Sequence, residues 1–457
     1  MSLSGRAAVP GFRRMPAGTV STRTAGTEIP EESQSLGYCG ATRGSTGAIL
    51  FREPAAMSSA IDDVAALCAN TLRTSTLLLR GVPAAAGWLL GWLSAEFAPH
   101  VLTGHALSAL PTPLERKAAE LAFQRADRVL DAVLTETFGE GYADAVHHPL
   151  APEADRRPHV ARVVEAMQHR RRYAEATTNI SYGPGGRSNL LDIWRRPDLP
   201  AGHRAPVLIQ VPGGGWAIND KRGQAYPLMS RMAELGWICV SINYSRSPRN
   251  AWPAHIIDVK RAIAWVRDNI ADYGGDPGFI SITGGSAGGH LAALAALTAG
   301  DKRFQPGFED ADTHVDAAAP HYGVYDLTDP RGMHPLMMPL LEHVVMQTGF
   351  EADPTVFADA SPTLHAHRGA PPFFILHGRN DAVIPHAQAR AFSDALRSAG
   401  ARTVAYAEIP NAHHAFDTIA TLRCQLSAEA VATFLGIVYG RHVCTRRRRR
   451  LAVSPAS

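Results

Sequence analysis

The run Phe279-Ile280-Ser281-Ile282-Thr283 passes through Gly284-Gly285-Ser286-Ala287-Gly288 into Gly289-His290-Leu291-Ala292-Ala293-Leu294-Ala295-Ala296-Leu297. A strand that runs through Gly-x-Ser-x-Gly straight into a strong helix former predicts a tight strand-to-helix turn with a serine at its tip. The serine must adopt a strained backbone conformation there, with its hydroxyl aimed away from the sheet, and Gly284 and Gly288 keep bulk off the doubled-back chain. The following helix points the positive end of its dipole at the serine, which favours negative charge developing there. Taken alone, Gly-x-Ser-x-Gly is as readily a glycine-rich turn with an incidental serine. The flanking strand and helix, and the partners found downstream, favour the reactive reading.

A serine hydroxyl is a poor nucleophile near neutral pH and needs a base, which in turn needs an orienting carboxylate. Pro372-Phe373-Phe374-Ile375-Leu376-His377-Gly378 reads as a buried strand, and Arg379-Asn380-Asp381-Ala382-Val383-Ile384-Pro385 follows it. Asp381 is therefore expected in a loop at a strand's C-terminal end, where α/β proteins keep their chemistry. A further strand near Thr403 to Ile409 leads to Pro410-Asn411-Ala412-His413-His414-Ala415-Phe416-Asp417. His414 is the preferred base because His-x-Phe sets it just ahead of an apolar anchor. His413 is its rival, otherwise a solvated loop imidazole. Asp417 is the rival carboxylate, otherwise a cap at the start of the last helix.

Upstream, the strand Pro206-Val207-Leu208-Ile209-Gln210-Val211 ends in Pro212-Gly213-Gly214-Gly215-Trp216. Three successive glycines leave backbone N–H groups unshielded, which suits fixed donors for a carbonyl oxygen that gains charge. A phosphate loop would require Gly-Lys-Ser/Thr, and a dinucleotide site Gly-x-Gly-x-x-Gly; neither is present. The N–H of Ala287, directly after the serine, is expected to be a second donor.

With these motifs in hand, the chain resembles the α/β-hydrolase carboxylesterases and lipases of the hormone-sensitive-lipase-like group, among them the bacterial Lip-type carboxylesterases. The likeness runs from about Asn179 to Val438. It rests on Gly213-Gly214-Gly215-Trp216, Asn243-Tyr244 with Ser247-Pro248, the stretch from Trp265 to Gly275 ahead of Asp276-Pro277, the Gly-Gly-Ser-Ala-Gly-Gly-His turn, His377-Gly378 with Asp381, and His414-Ala415-Phe416. Carried over position by position, it implies Ser286 as nucleophile, Asp381 as orienter, His414 as base, and Gly214, Gly215 and Ala287 as oxyanion donors. The order Ser, Asp, His is the order of that fold. Two positions depart from the pattern. Pro212 stands where the group usually has His, and Gly285 replaces the Asp often found before the serine.

Composition agrees with an enzyme of this size: 457 residues, 46% hydrophobic and 19% charged, enough for a hydrolase core and an additional element. The formal net charge of +3 comes from 45 basic and 42 acidic residues; without Arg446 to Arg450 the balance is 40 minus 42, or −2. The excess of positive charge is thus local, and no nucleic-acid partner is expected. The arginine run reads as a solvated tail, with an anionic membrane surface as the lesser reading. The five cysteines are odd in number and lack Cys-x-x-Cys spacing, so neither a disulfide framework nor a zinc site is expected. Cys239, inside Trp237-Ile238-Cys239-Val240-Ser241-Ile242, reads as a small buried apolar residue. No His-Glu-x-x-His is present, and no metal or cofactor is expected.

The chain divides on composition into residues 1–56, expected to be disordered; 57–175, a helical N-terminal extension or cap; 176–440, an α/β-hydrolase catalytic domain with a mostly parallel central sheet flanked by helices; and 441–457, an Arg-rich disordered tail. Met57 is a candidate start. Residues 81–95 form an uncharged segment bracketed by Arg80 and Glu96, shorter than the ~18 apolar residues of a membrane span. It reads as a buried or cap helix before an interfacial one, and it makes no convincing signal peptide. Ile256, Val259, Ile263, Val266 and Ile270 repeat at helical spacing ahead of the turn Gly274-Gly275-Asp276-Pro277. The apolar stretch Met333 to Leu341, with Val344, Val345 and Met346, reads as a helical excursion. Its Met337 and Met338, together with Trp216, are the candidates for contact with substrate, ordinary packing against the sheet being the equal alternative for the methionines.

These readings converge on a serine carboxylesterase that hydrolyses small-molecule or lipid esters with short to medium acyl chains through an acyl-enzyme. The protein is expected in the cytoplasm or at the face of a membrane or cell envelope, with the N-terminal helices as the membrane contact. Amidase, arylformamidase or acyltransferase chemistry on the same residues is the alternative, and a noncatalytic binding protein the distant one.

Overall fold

The computed structural model describes residues 113–150, 168–199, 202–328, 337–418 and 421–453. The expectations for residues 1–56, Met57 and 81–95 lie outside them, as does Met333 to Leu336.

Eight strands form one sheet in the order β1-β2-β4-β3-β5-β6-β7-β8. They are β1 (Ile180–Ser181), β2 (Leu190–Trp194), β3 (Ala205–Val211), β4 (Ile238–Ile242), β5 (Gly275–Gly285), β6 (Ala317–His321), β7 (Phe373–Gly378) and β8 (Val404–Ile409). β1 and β2 run antiparallel, as do β2 and β4; every other neighbouring pair is parallel. This is the α/β-hydrolase fold. Parallel strands covered on both faces read as continuous apolar runs, and β3, β4 and β7 are buried along their whole length. Alternate side chains feed two cores: Phe373 and Ile375 join one layer, Phe374 and Leu376 the other.

Helices α1 (Pro113–Phe138), α2 (Tyr226–Glu234), α3 (Ala254–Asn269), α4 (Ala287–Leu297), α5 (Met337–Leu340), α6 (His386–Ser398) and α7 (Leu422–Val453) cover the sheet. The stripe expected for α3 is interior: Ile256, Val259, Ile263, Val266 and Ile270 are all fully buried. The turn expected at Gly274 to Pro277 is shorter than its run of Gly, Asp and Pro suggests. Gly274, at φ 85, makes the turn, and β5 already begins at Gly275. Cys239 is buried, as expected.

One expectation for the chain's flanks is corrected. The tail 441–457 continues α7 as far as Val453, arginine run included. Arginine is a good helix former, and positive charge is favoured at a helix C-terminus. Arg446 also reaches the buried Asp276 at 2.6 Å, a carboxylate shared with Arg204. Within the extension, α1 packs against β8 and α7, with Phe138 against Phe434, and contributes nothing to the cluster around Ser286 among the described residues. This described part of the extension is helical, as expected, and buttresses the sheet; residues 57–112 and 151–167 lie outside the described residues.

Register brings the chemistry to one edge. Val211 pairs with Gly284, Gly285 with His321, and Gly378 with Ile409. The loops after β3, β5, β6, β7 and β8 therefore leave the sheet side by side at its C-terminal edge, where such sheets hold their sites.

Candidate active site

Ser286 has φ 58 and ψ −124 between the end of β5 and the start of α4. A non-glycine residue held at this conformation is strained, and the surrounding contacts must enforce it. Two do so directly: the Ser286 N–H donates to the His321 carbonyl at 3.0 Å, and the Ser286 carbonyl accepts from the His290 N–H at 3.0 Å. The flanking glycines permit the close approach. A Cβ on Gly284 would lie 2.5 Å from the Gly288 carbonyl oxygen, and one on Gly288 only 2.1 Å from that of Val211.

Asp381 leaves β7 as expected and is buried. Its Oδ1 accepts the Val383 and Ile384 N–H groups, both at 2.8 Å. Its Oδ2 faces two imidazoles, His414 Nδ1 at 2.8 Å and His377 Nε2 at 3.2 Å. Burial works to raise this carboxyl, but the histidines, His414 foremost, outweigh it and hold Asp381 well below the usual carboxylate range. On its other side His414 Nε2 lies 2.9 Å from Ser286 Oγ. With a carboxylate on Nδ1, that nitrogen carries the proton and Nε2 is left as an acceptor toward the hydroxyl. Ser286, His414 and Asp381 thus come together in one hydrogen-bonded line.

Of the rivals, His413 has no part in this line. Asp417 is not a cap: α7 starts at Leu422, where Thr421 Oγ1 accepts the Cys424 N–H at 3.2 Å. Asp417 is instead mostly buried, and its carboxylate takes His321 Nδ1 on one oxygen and the Tyr322 hydroxyl on the other. Burial tends to raise its pKa, but the His321 imidazole lowers it further, leaving Asp417 below the ordinary carboxylate value. The Tyr322 ring packs edge-on with His414, centroids 4.8 Å apart.

The glycine loop abuts the turn: a Cβ on Gly213 would meet the Gly285 carbonyl oxygen at 2.4 Å and Ser286 Cβ at 3.1 Å. Gly213 spends its N–H on Gln224 Oε1 at 2.7 Å. Gly214 and Gly215 adopt φ 118 and 58, which only glycine takes freely. Among the described residues, no acceptor meets the N–H of Gly214, Gly215 or Ala287. Pro212 needs no N–H here, and its carbonyl accepts the Tyr244 hydroxyl at 2.9 Å.

Of the expected substrate contacts, Trp216 and Met337 are buried and Met338 is partly buried. Trp216 is 1% exposed, and its indole N–H donates to His290 Nδ1 at 3.1 Å, so it is interior to the fold. Met337 is buried in the core, and Met338 packs against the same core. Leu340 is the side chain that approaches the glycine loop, its Cδ2 3.7 Å from where a Gly215 Cβ would stand. Ile218, on the same loop, is 69% exposed. Sequence reading did not assign roles to His377, His290, His321 or Tyr322; His290 and His377 stood inside the quoted motifs, and the strand expected near Ala317 to Tyr322 forms as β6, with nothing local to show what its last residues bind. Among the described residues no cluster of His, Cys, Asp and Glu could hold a metal ion, and no helix is long and apolar enough to cross a membrane.

Comparison with known proteins gives this geometry its relatives. The family described as BD-FAE matches residues 191–396. Esterase LipQ of Mycobacterium tuberculosis is 61% identical over 395 residues, 86% of this chain and 94% of that protein. Probable carboxylic ester hydrolase LipM of the same organism is 60% identical over 262 residues, covering 57% of this chain and 61% of that one. Esterase LipC, also from M. tuberculosis, is 44% identical over 290 residues, 63% of this chain and 70% of that one. Among solved structures, the propionate-bound thermophilic esterase Est2 of Thermogutta terrifontis is 26% identical with a TM-score of 0.48, covering 56% of this chain and 92% of that one.

Proposed function

Because the chain belongs to the bacterial Lip-type carboxylesterases of the α/β-hydrolase fold, and so is a carboxylic ester hydrolase, we propose that it works by two-step acyl transfer on Ser286. His414, oriented by Asp381, takes the Ser286 proton as the oxygen attacks the ester carbonyl. The N–H groups of Gly214, Gly215 and Ala287 receive the oxyanion. The intermediate collapses, the alcohol leaves with the proton from His414, and water enters by the same route to release the acid.

The observation that carries this reading is the continuous line from Ser286 Oγ through His414, 2.9 Å on one side and 2.8 Å on the other, to a buried Asp381. Each partner is fixed independently: the serine by the turn, the carboxylate by two backbone N–H groups. Apolar Leu340 and Ile218 beside the glycine loop favour an ester with short to medium acyl chain over a charged substrate.

A p-nitrophenyl ester series from acetate upward, assayed with wild type and Ser286→Ala, tests the proposal. Hydrolysis of the shorter esters should fall by on the order of 10³-fold or more in the variant. Undiminished hydrolysis by Ser286→Ala would refute the nucleophile. A folded wild type inactive on every ester but active on the matching anilides would move the chain to amide chemistry.

A further inference from the structure

Trp216 and His290 take no part in the proton transfers: Trp216 ends the glycine loop, His290 ends the Gly-Gly-Ser-Ala-Gly-Gly-His motif, and both are buried. They meet across 74 residues of sequence, the Trp216 indole N–H 3.1 Å from His290 Nδ1. An indole only donates, so Nδ1 must be the bare nitrogen and Nε2 must carry the proton. The opposite side agrees, since Nε2 lies 2.7 Å from the Ala360 carbonyl, which only accepts. Burial pushes the His290 imidazole down to about 4, so it stays neutral and keeps its acceptor across the neutral range. Trp252 packs against the same ring, centroids 5.7 Å apart, and closes the site around it.

This contact adds a side-chain hydrogen bond between two parts whose backbones already abut at Gly213 and Gly285. Trp216 follows Gly214 and Gly215 directly and sits at φ 59, a conformation a tryptophan adopts only under constraint. His290 is on α4, one turn beyond Ala287 and Ser286, and its own N–H holds the Ser286 carbonyl at 3.0 Å. The donors proposed for the oxyanion come partly from the loop and partly from the helix. We propose that the Trp216 to His290 hydrogen bond sets the spacing between these two parts, which makes both side chains positioning residues for the oxyanion hole.

The inference rests on the oxyanion assignment above, and its consequence is selective. A donor displaced by a fraction of an ångström loses the transition state more than the ground state, so kcat should suffer and KM should not. Trp216→Phe removes the N–H and keeps most of the apolar bulk; His290→Asn and the double variant complete a cycle. Each is measured for kcat and KM on p-nitrophenyl butyrate and for inhibition by phenylboronic acid, whose tetrahedral serine adduct places an oxygen in the hole. Trp216→Phe is expected to lower kcat roughly 10- to 100-fold with KM within about twofold. Its boronate inhibition constant should rise in parallel, and the double variant should be little worse than either single one.

Trp216→Phe that folds and retains wild-type kcat and boronate affinity overturns the inference. So does a loss of activity that tracks only the fraction of folded protein, with kcat per titrated Ser286 and boronate affinity unchanged. If His290→Asn does not fold, Trp216→Phe decides alone. Failure of the underlying reading looks different, because wild type itself would then be inactive on the ester or indifferent to Ser286→Ala.

Discussion

Gly214 and Gly215 are adjacent and carry the same proposed role, yet they should respond differently to the same methyl group. At Gly214 an added Cβ would sit 2.4 Å from the Ile218 carbonyl oxygen, a backbone atom that cannot step aside, at φ 118. At Gly215 it would meet only Leu340 Cδ2 at 3.7 Å, at φ 58, where an L-residue costs about 1 kcal/mol. Gly214→Ala is therefore expected to abolish ester hydrolysis, and Gly215→Ala to retain at least about a tenth of it, as read by kcat on p-nitrophenyl acetate. Equal losses at both positions would show that the loop is read by the site as a single unit. Asp381 permits an equally specific forecast. The Val383 and Ile384 N–H groups demand an oxygen at Oδ1, so Asn at this position must turn its NH2 toward His414 Nδ1. That forces His414 to carry its proton on Nε2, where it faces Ser286 and cannot accept. Asp381→Asn should lower kcat by on the order of 10⁴-fold with the fold intact, measurable by kinetics alongside circular dichroism.

The segment between β8 and α7 carries His414 and is fastened at both ends of its reach. Asp381 holds the imidazole itself, while Asp417, three residues on, is gripped by His321 and Tyr322 at the end of β6. The same His321 gives its carbonyl to the Ser286 N–H, so the end of β6 touches both the serine's backbone and the base's loop. Asp417→Asn keeps the shape but offers only one acceptor oxygen to two buried donors. It is expected to destabilise the protein by about 2 to 4 kcal/mol and to lower kcat as His414 loses its anchor, which chemical denaturation and kinetics on the same sample would resolve. Unchanged stability would mean that water replaces the lost acceptor. Much of this architecture could be read from the chain. β3, β4 and β7 read as largely apolar runs, and the order Ser286, Asp381, His414 follows from what lies just after β5, β7 and β8. The remainder depends on distance. β1 has two residues and β2 contains the buried Asp192, paired with Lys221 and Arg222, so neither reads as an apolar strand. Asp417 obeys a local capping rule until β6, some 95 residues earlier, supplies its partners. Trp216 beside three glycines looks like a wall of the site because nothing nearby in sequence shows that His290 takes its N–H.

At the scale of the whole molecule, burial has left several histidines neutral, and this fixes how the fold meets acid. Burial pushes His148 down to about 4, with Arg231 adding to it; burial pushes His255 to about 3 and His290 to about 4. Two of them accept an indole N–H in their neutral form, His148 from Trp237 at 3.1 Å and His290 from Trp216 at 3.1 Å. In the unfolded chain an imidazole titrates near 6.5, so below that pH the unfolded state binds protons that the folded state refuses. Each group is depressed on folding; its contribution is complete above about 6.5 and is lost as pH falls toward about 4. The depressed Asp381 and Asp417 act in the same direction, below the ordinary carboxylate pKa. Stability should therefore decline from pH 7 to pH 4.5, with a slope approaching about 1.4 kcal/mol per pH unit for each histidine through the lower part of that window. Thermal unfolding at half-unit pH steps reads this directly. His255→Gln can keep the hydrogen bond to Ser247 Oγ, now 3.0 Å, without titrating, and should flatten the slope by about one proton. A melting temperature constant from pH 7 to 4.5 would mean that the native imidazoles take up protons as readily as those of the unfolded chain, and that the indole to imidazole contacts are made differently.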